Sequence, residues 1–275
     1  MTSREARQMI ARIGREPPFR LLTRLIVKQF LSNPAVRARW GVDPYPAYLY
    51  GMLEGALLAK RQGISGITAV EFGVASGGGL LAMEQYARRI EQFTGIVIKV
   101  VGFDTGSGLP AFIGDYRDHP DHWQTGAYPL ADDLRGRIDP ASTRLVIGDV
   151  RQTVPAFLKE SDFLPLGFVS FDLDLYSSTR DALQIFDSRE RKMLRQTPIY
   201  FDDIDFISNH RWAGELLAIE EFNRSCDFVK IDHWYNLKSD KPFPEAYYWE
   251  KLMVAHDLEA ISRSGSNVGA GAVSL

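Results

Sequence analysis

The chain has 275 residues, with 32 Lys and Arg against 35 Asp and Glu, which gives a formal net charge of −3. This balance excludes a basic surface spread over the whole protein, so nucleic acid is not an expected partner. The single cysteine, Cys226, excludes a disulfide within the chain and a cysteine-rich zinc site, and it favours a reducing compartment, the cytoplasm. No apolar run approaches the roughly 18 residues that a membrane span needs.

The N-terminal segment is basic. Residues 1–39 hold nine Lys or Arg and two acids, Glu5 and Glu16, and apolar residues recur at helical spacing. We expect residues 1–60 to form a helical extension that packs on the core or on a second subunit, as in a homodimer. A transit segment and a membrane-surface helix are the alternatives. At the other end, residues 261–275 are Gly/Ser-rich and are predicted to form a flexible tail.

Between these ends, apolar runs alternate with helical patterns. Seven runs are predicted as strands, at residues 67–72, 96–103, 145–147, 167–171, 199–201, 228–231 and 247–255. Near-continuous apolar strands separated by helices are typical of a parallel sheet covered on both faces. The last two runs lack a helix between them, which predicts an antiparallel edge hairpin. The sequence therefore predicts one α/β domain over residues 61–260, with a Rossmann-like, doubly wound, mostly parallel seven-stranded sheet.

In such a sheet, ligands bind just beyond the carboxyl ends of the strands. The first predicted strand leads into Glu71, Gly73, Ser76, Gly77 and Gly78, followed by one more glycine. Glycines let the backbone approach a ligand, and the next helix offers free N–H groups to an anion. The spacing is neither G-x-G-x-x-G nor a P-loop, and a tight turn without a ligand is the alternative. We predict that these five residues bind a nucleoside-containing cofactor.

Acids also end the second and third predicted strands. Asp104 can accept hydrogen bonds from both ribose hydroxyls of a nucleoside, or it can form an Asx turn. Asp149, which precedes Val150, can hold an adenine amino group, or it can cap the next helix. We include Asp104, Asp149 and Val150 in the predicted cofactor site.

The fourth and fifth predicted strands end in two acid pairs, Asp172-x-Asp174 and Asp202-Asp203. Such strands usually lie side by side at about 4.8 Å, so four carboxylates would crowd one end of the sheet. A divalent cation is the simplest compensation, and the all-oxygen set favours Mg²⁺, with Mn²⁺ or Ca²⁺ as alternatives. The other interpretation is that these acids cap turns and helices separately. A capping box at residues 178–181 already has that spacing.

Together these motifs resemble class I S-adenosylmethionine-dependent methyltransferases. They are Glu71-x-Gly73-x3-Gly77-Gly78, Asp104 before Gly-Leu-Pro, Asp172-x-Asp174-x-Tyr176-x-Ser178-Thr179, and Asp202-Asp203. More narrowly, residues 66–205 resemble the macrocin O-methyltransferase (TylF-type) family, which methylates sugar hydroxyls in natural-product biosynthesis. The family usually has Asp-Ser-Phe-Glu-Gly-Leu-Pro where this chain has Asp104-Thr-Gly-Ser-Gly-Leu-Pro.

The resemblance implies a function and a set of roles. The methyl donor would be S-adenosylmethionine, and the acceptor a hydroxyl of a small molecule, such as a sugar or a natural-product diol. An Mg²⁺ ion would be held by Asp172, Asp202 and Asp203. Asp174 would be the catalytic base.

The long segment at residues 109–137 is predicted to form a lid, because long loops in compact domains are usually functional. It contains His119 and His122, but His210, shortly after the acid pair, is the stronger candidate for a catalytic histidine. Three tyrosines precede the first strand and are predicted either to close over the donor or to pack the extension on the core: Tyr45, Tyr48 and Tyr50.

Two other classes of function remain open. Asp172-x-Asp174 is also the pattern with which metal-dependent nucleotide-sugar glycosyltransferases hold a metal and a diphosphate. The third possibility is a non-catalytic Rossmann-like module that binds a nucleoside.

Overall fold

The computed structural model describes residues 19–160, 163–187 and 192–265. Seven strands form one sheet: β1 Gly66–Phe72, β2 Val97–Asp104, β3 Thr143–Ile147, β4 Leu166–Phe171, β5 Gln196–Phe201, β6 Val229–His233 and β7 Leu252–Asp257. Their order is β3-β2-β1-β4-β5-β7-β6, and β7 is antiparallel to both of its neighbours while the other pairs are parallel. This confirms the predicted Rossmann-like, mostly parallel sheet with an antiparallel edge pair.

Helices cover both faces of the sheet. In the described ranges they are α1 Phe19–Phe30, α2 Pro34–Trp40, α3 Pro46–Arg61, α4 Gly78–Thr94, α5 Leu134–Arg137, α6 Val150–Leu158, α7 Tyr176–Ala182, α8 Gly214–Ser225 and α9 Leu258–Gly265. On one face α3 and α4 pack with Ile67 and Ala69 of β1, and on the other α6 and α8 pack with Val70 and Phe72. None of these helices has the length and apolarity needed to cross a bilayer.

The N-terminal helices differ in how closely they join this core. α3 packs directly on the sheet, and an added Cβ on Gly55 would lie 1.9 Å from the carbonyl oxygen of Gly167 in β4. The last part of the predicted extension is therefore one of the covering helices. Residues 1–18 of that extension and residues 266–275 of the predicted tail lie outside the described residues, whereas the first part of the tail belongs to α9.

A row of phenylalanines crosses four neighbouring strands near their carboxyl ends. The ring centroids are 4.9 Å apart for Phe103 and Phe72, 5.2 Å for Phe72 and Phe171, and 4.8 Å for Phe171 and Phe201. Strand register pairs the same residues. The carboxyl ends of parallel strands meet at one edge of the sheet, and neighbouring residues of a strand face opposite ways. The residue that follows each phenylalanine therefore lies at that edge, close to its counterparts in the neighbouring strands. Those residues are Asp104, Gly73, Asp172 and Asp202.

α7 begins earlier than the sequence predicts. The predicted capping box at residues 178–181 makes Ser178 the N-cap, but the helix starts at Tyr176 and its N-cap is Leu175. The prediction is wrong because Asp174 adopts a left-handed backbone conformation, with φ of 62°, and this turns the chain into the helix at once.

Gly73→Ala tests the close contact between the ends of β1 and β4. Gly73 has φ of +81°, and an added Cβ would lie 1.8 Å from the carbonyl oxygen of Asp172. Gly63 has φ of +71°, but among the described atoms nothing lies within 4 Å of an added Cβ. We expect Gly63→Ala to lower the free energy of unfolding by about 1 kcal/mol, the cost of a left-handed alanine.

Gly73→Ala should cost roughly 1–3 kcal/mol more than Gly63→Ala, because the backbone of β4 must also move. Urea denaturation measures both variants against the wild type. Equal losses of unfolding free energy in the two variants would contradict the close contact between Gly73 and the carbonyl oxygen of Asp172.

Candidate active site

A cavity of about 780 Å³ opens at the carboxyl ends of the central strands. It is lined by Glu71, Gly73, Ser76, Gly78, Asp104, Asp149 and Val150, all predicted to bind the cofactor, and by the acids Asp172, Asp174, Asp202 and Asp203. Gly77 is not one of the described lining residues, because it is the N-cap of α4 and packs against α5. The structure therefore gathers the predicted cofactor residues and the predicted metal ligands around one space.

The glycine-rich turn after β1 is shaped by contacts within the protein. An added Cβ on Gly78 would lie 2.3 Å from the Tyr45 hydroxyl, and one on Gly79 would lie 1.9 Å from Oε1 of Glu71. Gly77 has φ of +83°, a conformation that favours glycine. The backbone conformation of Gly77 thus favours glycine whether or not a ligand is bound, and a side chain at Gly78 or Gly79 would displace the end of Tyr45 or Glu71. No described side chain caps the N-terminus of α4, so its first N–H groups can face an anion.

Asp104 ties two loops together. Its Oδ2 accepts hydrogen bonds from the backbone N–H groups of Val74 (2.9 Å) and Ala75 (3.0 Å), and its Oδ1 accepts one from the N–H of Gly106 (2.7 Å). The hydrogen bond from Gly106 forms an Asx turn, which was one of the two roles that the sequence predicted for Asp104. Because each carboxylate oxygen has two lone pairs, the side chain can hold the glycine turn and still meet a ligand in the cavity.

Asp149 caps α6, as one of the two interpretations of the sequence predicted. Its Oδ1 accepts the backbone N–H of Arg151 at 2.9 Å, and its Oδ2 lies 2.7 Å from Nη2 of the same residue. The Arg151 guanidinium lowers the pKa of the Asp149 carboxyl. Asp149 also lines the cavity, so the capping role does not remove it from the site.

Glu71 is a buried acid on the cavity wall. The residue is 2% exposed, and within the described part of the chain its Oε2 has no hydrogen-bond partner. Burial is the main cause that raises the pKa of Glu71 from 4.5 to about 8, while a hydrogen bond from Tyr48 opposes the rise and the charge of Asp104 adds to it. A carboxyl group that keeps its proton at neutral pH can donate a hydrogen bond to a ligand.

Three carboxylates converge at the ends of β4 and β5. One oxygen from each of Asp172, Asp202 and Asp203 lies within 4.8 Å of the others. Burial raises the pKa of Asp172 well above its usual range, and the charges of Asp203 and Asp202 raise it further. A hard divalent cation prefers carboxylate oxygens, and its charge would offset the repulsion among them. The donor set therefore fits a cation such as Mg²⁺.

Two charged residues that the sequence analysis missed hold the acid pair. Lys251, 6% exposed, places Nζ 2.5 Å from the carbonyl oxygen of Asp202 and 2.9 Å from Oδ1 of Asp205. Glu215, fully buried at the start of α8, accepts the N–H of Asp203 at 2.9 Å, and its Oε1 has no partner among the described atoms. A lysine within an apolar strand pattern and an acid in an apolar helix were the signals that could have revealed them.

Asp174 has a left-handed backbone conformation and a raised side-chain pKa. Its φ of 62° is rare for a residue other than glycine, and strained residues of this kind cluster at active sites. The N–H of Asp174 donates to Oδ2 of Asp203 at 3.1 Å. Burial and the charge of Asp202 raise the pKa of Asp174 to about 7. This is the range that suits a general base.

The loop between β2 and α5 is anchored beside the acids. Asp118 is fully buried and accepts hydrogen bonds from the N–H of Ile113 (2.9 Å) and from the N–H (2.8 Å) and hydroxyl (3.0 Å) of Ser177. Trp123 and Tyr128 of the same loop line the cavity. The segment predicted as a lid therefore forms one wall of the site.

The candidate histidines lie beside the cavity. His119 is 2% exposed and its ring centroid lies 4.9 Å from that of His210, while His122 stacks on Phe206 at 4.4 Å. Among the residues that the structure describes, none of these histidines lines the cavity. The expectation that His210 joins the acids is not met, because the loop after β5 carries it to an exposed position against His119.

The sheet order and the position of the cavity define a Rossmann-like methyltransferase fold. Among solved structures, the chain is similar to the O-methyltransferase NovP, with 16% identity and a TM-score of 0.52 over 81% of this chain and 87% of NovP. It is also similar to the calicheamicin methyltransferase CalS11, with 22% identity and a TM-score of 0.49 over 76% of this chain and 79% of CalS11. No protein-family model and no curated protein matches the chain. The likeness to NovP shows the fold.

Glu71→Gln tests the buried acid through the pH dependence of stability. The pKa of Glu71 is 4.5 in its ordinary state and about 8 in the fold, so between these values the folded protein holds a proton that the unfolded chain releases. Stability from this group is therefore lost as pH rises towards 8. Glu71→Gln removes the titrating group. The free energy of unfolding of the variant minus that of the wild type should therefore increase with pH, by at most about 1.4 kcal/mol per pH unit.

Chemical denaturation at several values between pH 5 and 8.5 measures the effect. Glu250→Gln, at an exposed position, is the matched control and should give a nearly constant difference from the wild type. Parallel stability curves for wild type and Glu71→Gln would show that Glu71 is ionised in the fold.

Proposed function

We propose that this protein is an S-adenosylmethionine-dependent and divalent-metal-dependent O-methyltransferase. Its acceptor would be a hydroxyl of a small molecule, a sugar or a natural-product diol, as in the macrocin O-methyltransferase (TylF-type) family. One observation carries the proposal: the cluster of Asp172, Asp202 and Asp203 and the glycine-rich turn border the same cavity. The methyltransferase fold shared with NovP supports the type of reaction.

The donor would occupy the part of the cavity formed by the glycine turn. Its charged amino-acid end would lie near Glu71 and the N-terminus of α4, where N–H groups face a carboxylate. Asp104 would accept a hydrogen bond from a ribose hydroxyl on the remaining lone pair of its Oδ1, and Asp149 and Val150 would border the adenine. These assignments use the lining residues that carry polar groups at the strand ends.

The acceptor would lie over the ends of β4 and β5. Asp172, Asp202 and Asp203 would hold an Mg²⁺ ion, which supplies a Lewis acid that lowers the pKa of an acceptor hydroxyl. Asp174 would take the hydroxyl proton as the oxygen bonds to the methyl carbon and the bond from that carbon to the sulfonium sulfur breaks, which releases S-adenosylhomocysteine. Because the sulfonium already activates the methyl group, the main task of the side chains is alignment.

We also propose that the protein is a cytoplasmic homodimer that pairs through α1. Six apolar side chains of this helix are between 45% and 77% exposed: Phe19, Leu21, Leu22, Leu25, Ile26 and Phe30. Arg20 and Arg24 of the same helix instead bond to the body of the protein, at Glu245 and at the carbonyl oxygen of Gly41. A second copy of α1 would cover the apolar side. The buried free thiol of Cys226 fits a reducing compartment.

Calorimetry with adenosyl ligands tests the donor site. S-adenosylmethionine and S-adenosylhomocysteine should each bind at one site per chain, with or without Mg²⁺. Failure of both ligands to bind would contradict the methyltransferase proposal. Binding of UDP-glucose in an Mg²⁺-dependent manner, without binding of either adenosyl ligand, would favour a glycosyltransferase.

Asp203→Asn tests the cation site separately from the donor site. Loss of one carboxylate should weaken Mn²⁺ binding, measured by electron paramagnetic resonance, by about tenfold or more. The affinity for S-adenosylhomocysteine should remain close to that of the wild type. Asp205→Asn is the matched control, because Asp205 belongs to the same acidic loop but is outside the carboxylate cluster. Equal Mn²⁺ affinity in wild type and Asp203→Asn would contradict the assignment.

A further inference from the structure

A second, smaller cavity lies at the opposite edge of the sheet from the candidate active site. Its volume is about 210 Å³, and it is bordered by the C-terminal end of α3, the start of β5 and the last turns of α9. β5 runs for 6 residues from Gln196, in the wall of this cavity, to Phe201, which precedes the acid pair. A strand of this length spans roughly 20 Å, so a ligand in the smaller cavity would lie outside the candidate active site.

Two arginines that have no bonding partner line this smaller cavity. Most of the arginines that the structure describes bond to an acid or to a carbonyl oxygen. In the described part of the chain, three have a guanidinium group with no hydrogen bond and no ion pair: Arg61, Arg135 and Arg195. Arg61 and Arg195 both line the smaller cavity.

The cavity wall offers these two cations little negative charge. No acid is among the described residues of the wall. Burial raises the pKa of Glu54, an acid of α3, and the charge of Arg61 opposes the rise, but no hydrogen bond or ion pair joins these two described side chains. The C-terminal ends of α3 and α9 carry only partial negative charge, smaller than the full charges of two guanidinium groups. The two cations therefore repel each other, a cost that a bound anion would remove.

The other polar groups of the wall include further hydrogen-bond donors. The side-chain oxygen of Gln62 accepts the N–H of Arg195 at 3.2 Å, which leaves its amide N–H groups as donors. Gln196 adds a second amide group to the wall. Three carbonyl oxygens in the last turn of α3 already accept N–H groups of the residues that follow. Leu58 and Ile261 add apolar surface.

We infer that this cavity binds a small organic phosphate, with Arg61 and Arg195 holding the phosphate group. A phosphomonoester carries roughly two negative charges at neutral pH, which matches two guanidinium groups, whereas a carboxylate carries one. The planar guanidinium group also suits the spacing of phosphate oxygens. Leu58 and Ile261 would contact the carbon chain of the ester. The inference does not depend on the proposed methyltransferase activity.

Binding of simple anions to the full chain tests the inference. n-Propyl phosphate and propionate are titrated separately at low salt and without a divalent cation, and binding is followed by ligand-observed NMR. We expect n-propyl phosphate to bind saturably and about tenfold more tightly than propionate, because it brings more negative charge to the two arginines. Inorganic phosphate should compete with it. The inference is overturned if n-propyl phosphate does not bind saturably, or if propionate binds as tightly.

Arginine variants locate the bound phosphate, once thermal unfolding shows that each variant is folded. Arg61→Gln and Arg195→Gln should each weaken the binding of n-propyl phosphate by about tenfold, because each removes one positive charge. Arg135→Gln is the matched control, since Arg135 is also unpartnered among the described residues but does not belong to the described wall. Arg180→Gln, in the wall of the larger cavity, is a second control. Both controls should bind as the wild type does.

Two results would place the anion elsewhere and contradict the inference. One is unchanged affinity for n-propyl phosphate in both Arg61→Gln and Arg195→Gln. The other is a loss of affinity in Arg180→Gln that equals or exceeds the loss in these two variants, which would assign the phosphate to the larger cavity.

Discussion

The repulsion among carboxylates at the ends of β4 and β5 is the constraint on which the site depends. The row of phenylalanines packs in the register of four strands, and this register brings Asp172 next to Asp202. Burial then makes each charge costly, because like charges in a poorly solvated site disfavour ionisation. The fold therefore creates an unfavourable cluster of acids as a direct result of packing its core.

The surrounding residues offset part of this cost. The Tyr200 hydroxyl donates to Oδ1 of Asp202 at 2.5 Å, and the buried ammonium of Lys251 lies between Asp202 and Asp205. Asp203 accepts the N–H of Asp174 and donates its own N–H to Glu215. The pKa of Asp203 is nevertheless raised well above its usual range, mainly by burial and then by Asp174 and Asp202. The protein contacts are insufficient on their own, which is why a divalent cation fits this place.

The sequence predicted the parts of the molecule that depend on local patterns. Apolar runs indicated the strands, and the acids that follow Phe171 and Phe201 indicated where the carboxylates would meet. Contacts between distant segments could not be predicted in this way. Lys251 immediately precedes β7, which pairs with β5, and the outward position of His210 depends on how one loop packs against another. The contacts of the glycine-rich turn after β1 with the ends of Tyr45 and Glu71 likewise join segments that the sequence pattern does not connect.

A crystal of the protein with S-adenosylhomocysteine and Mn²⁺ would test the account most directly, because anomalous scattering locates the metal independently of any assay. We predict a single strong anomalous peak within bonding distance of oxygens from Asp172, Asp202 and Asp203, with the adenosyl ligand along the glycine turn in the same cavity. A cavity that binds the adenosyl ligand but has no peak at these acids, or a peak elsewhere, would contradict the claim that the crowded carboxylates form a cation site.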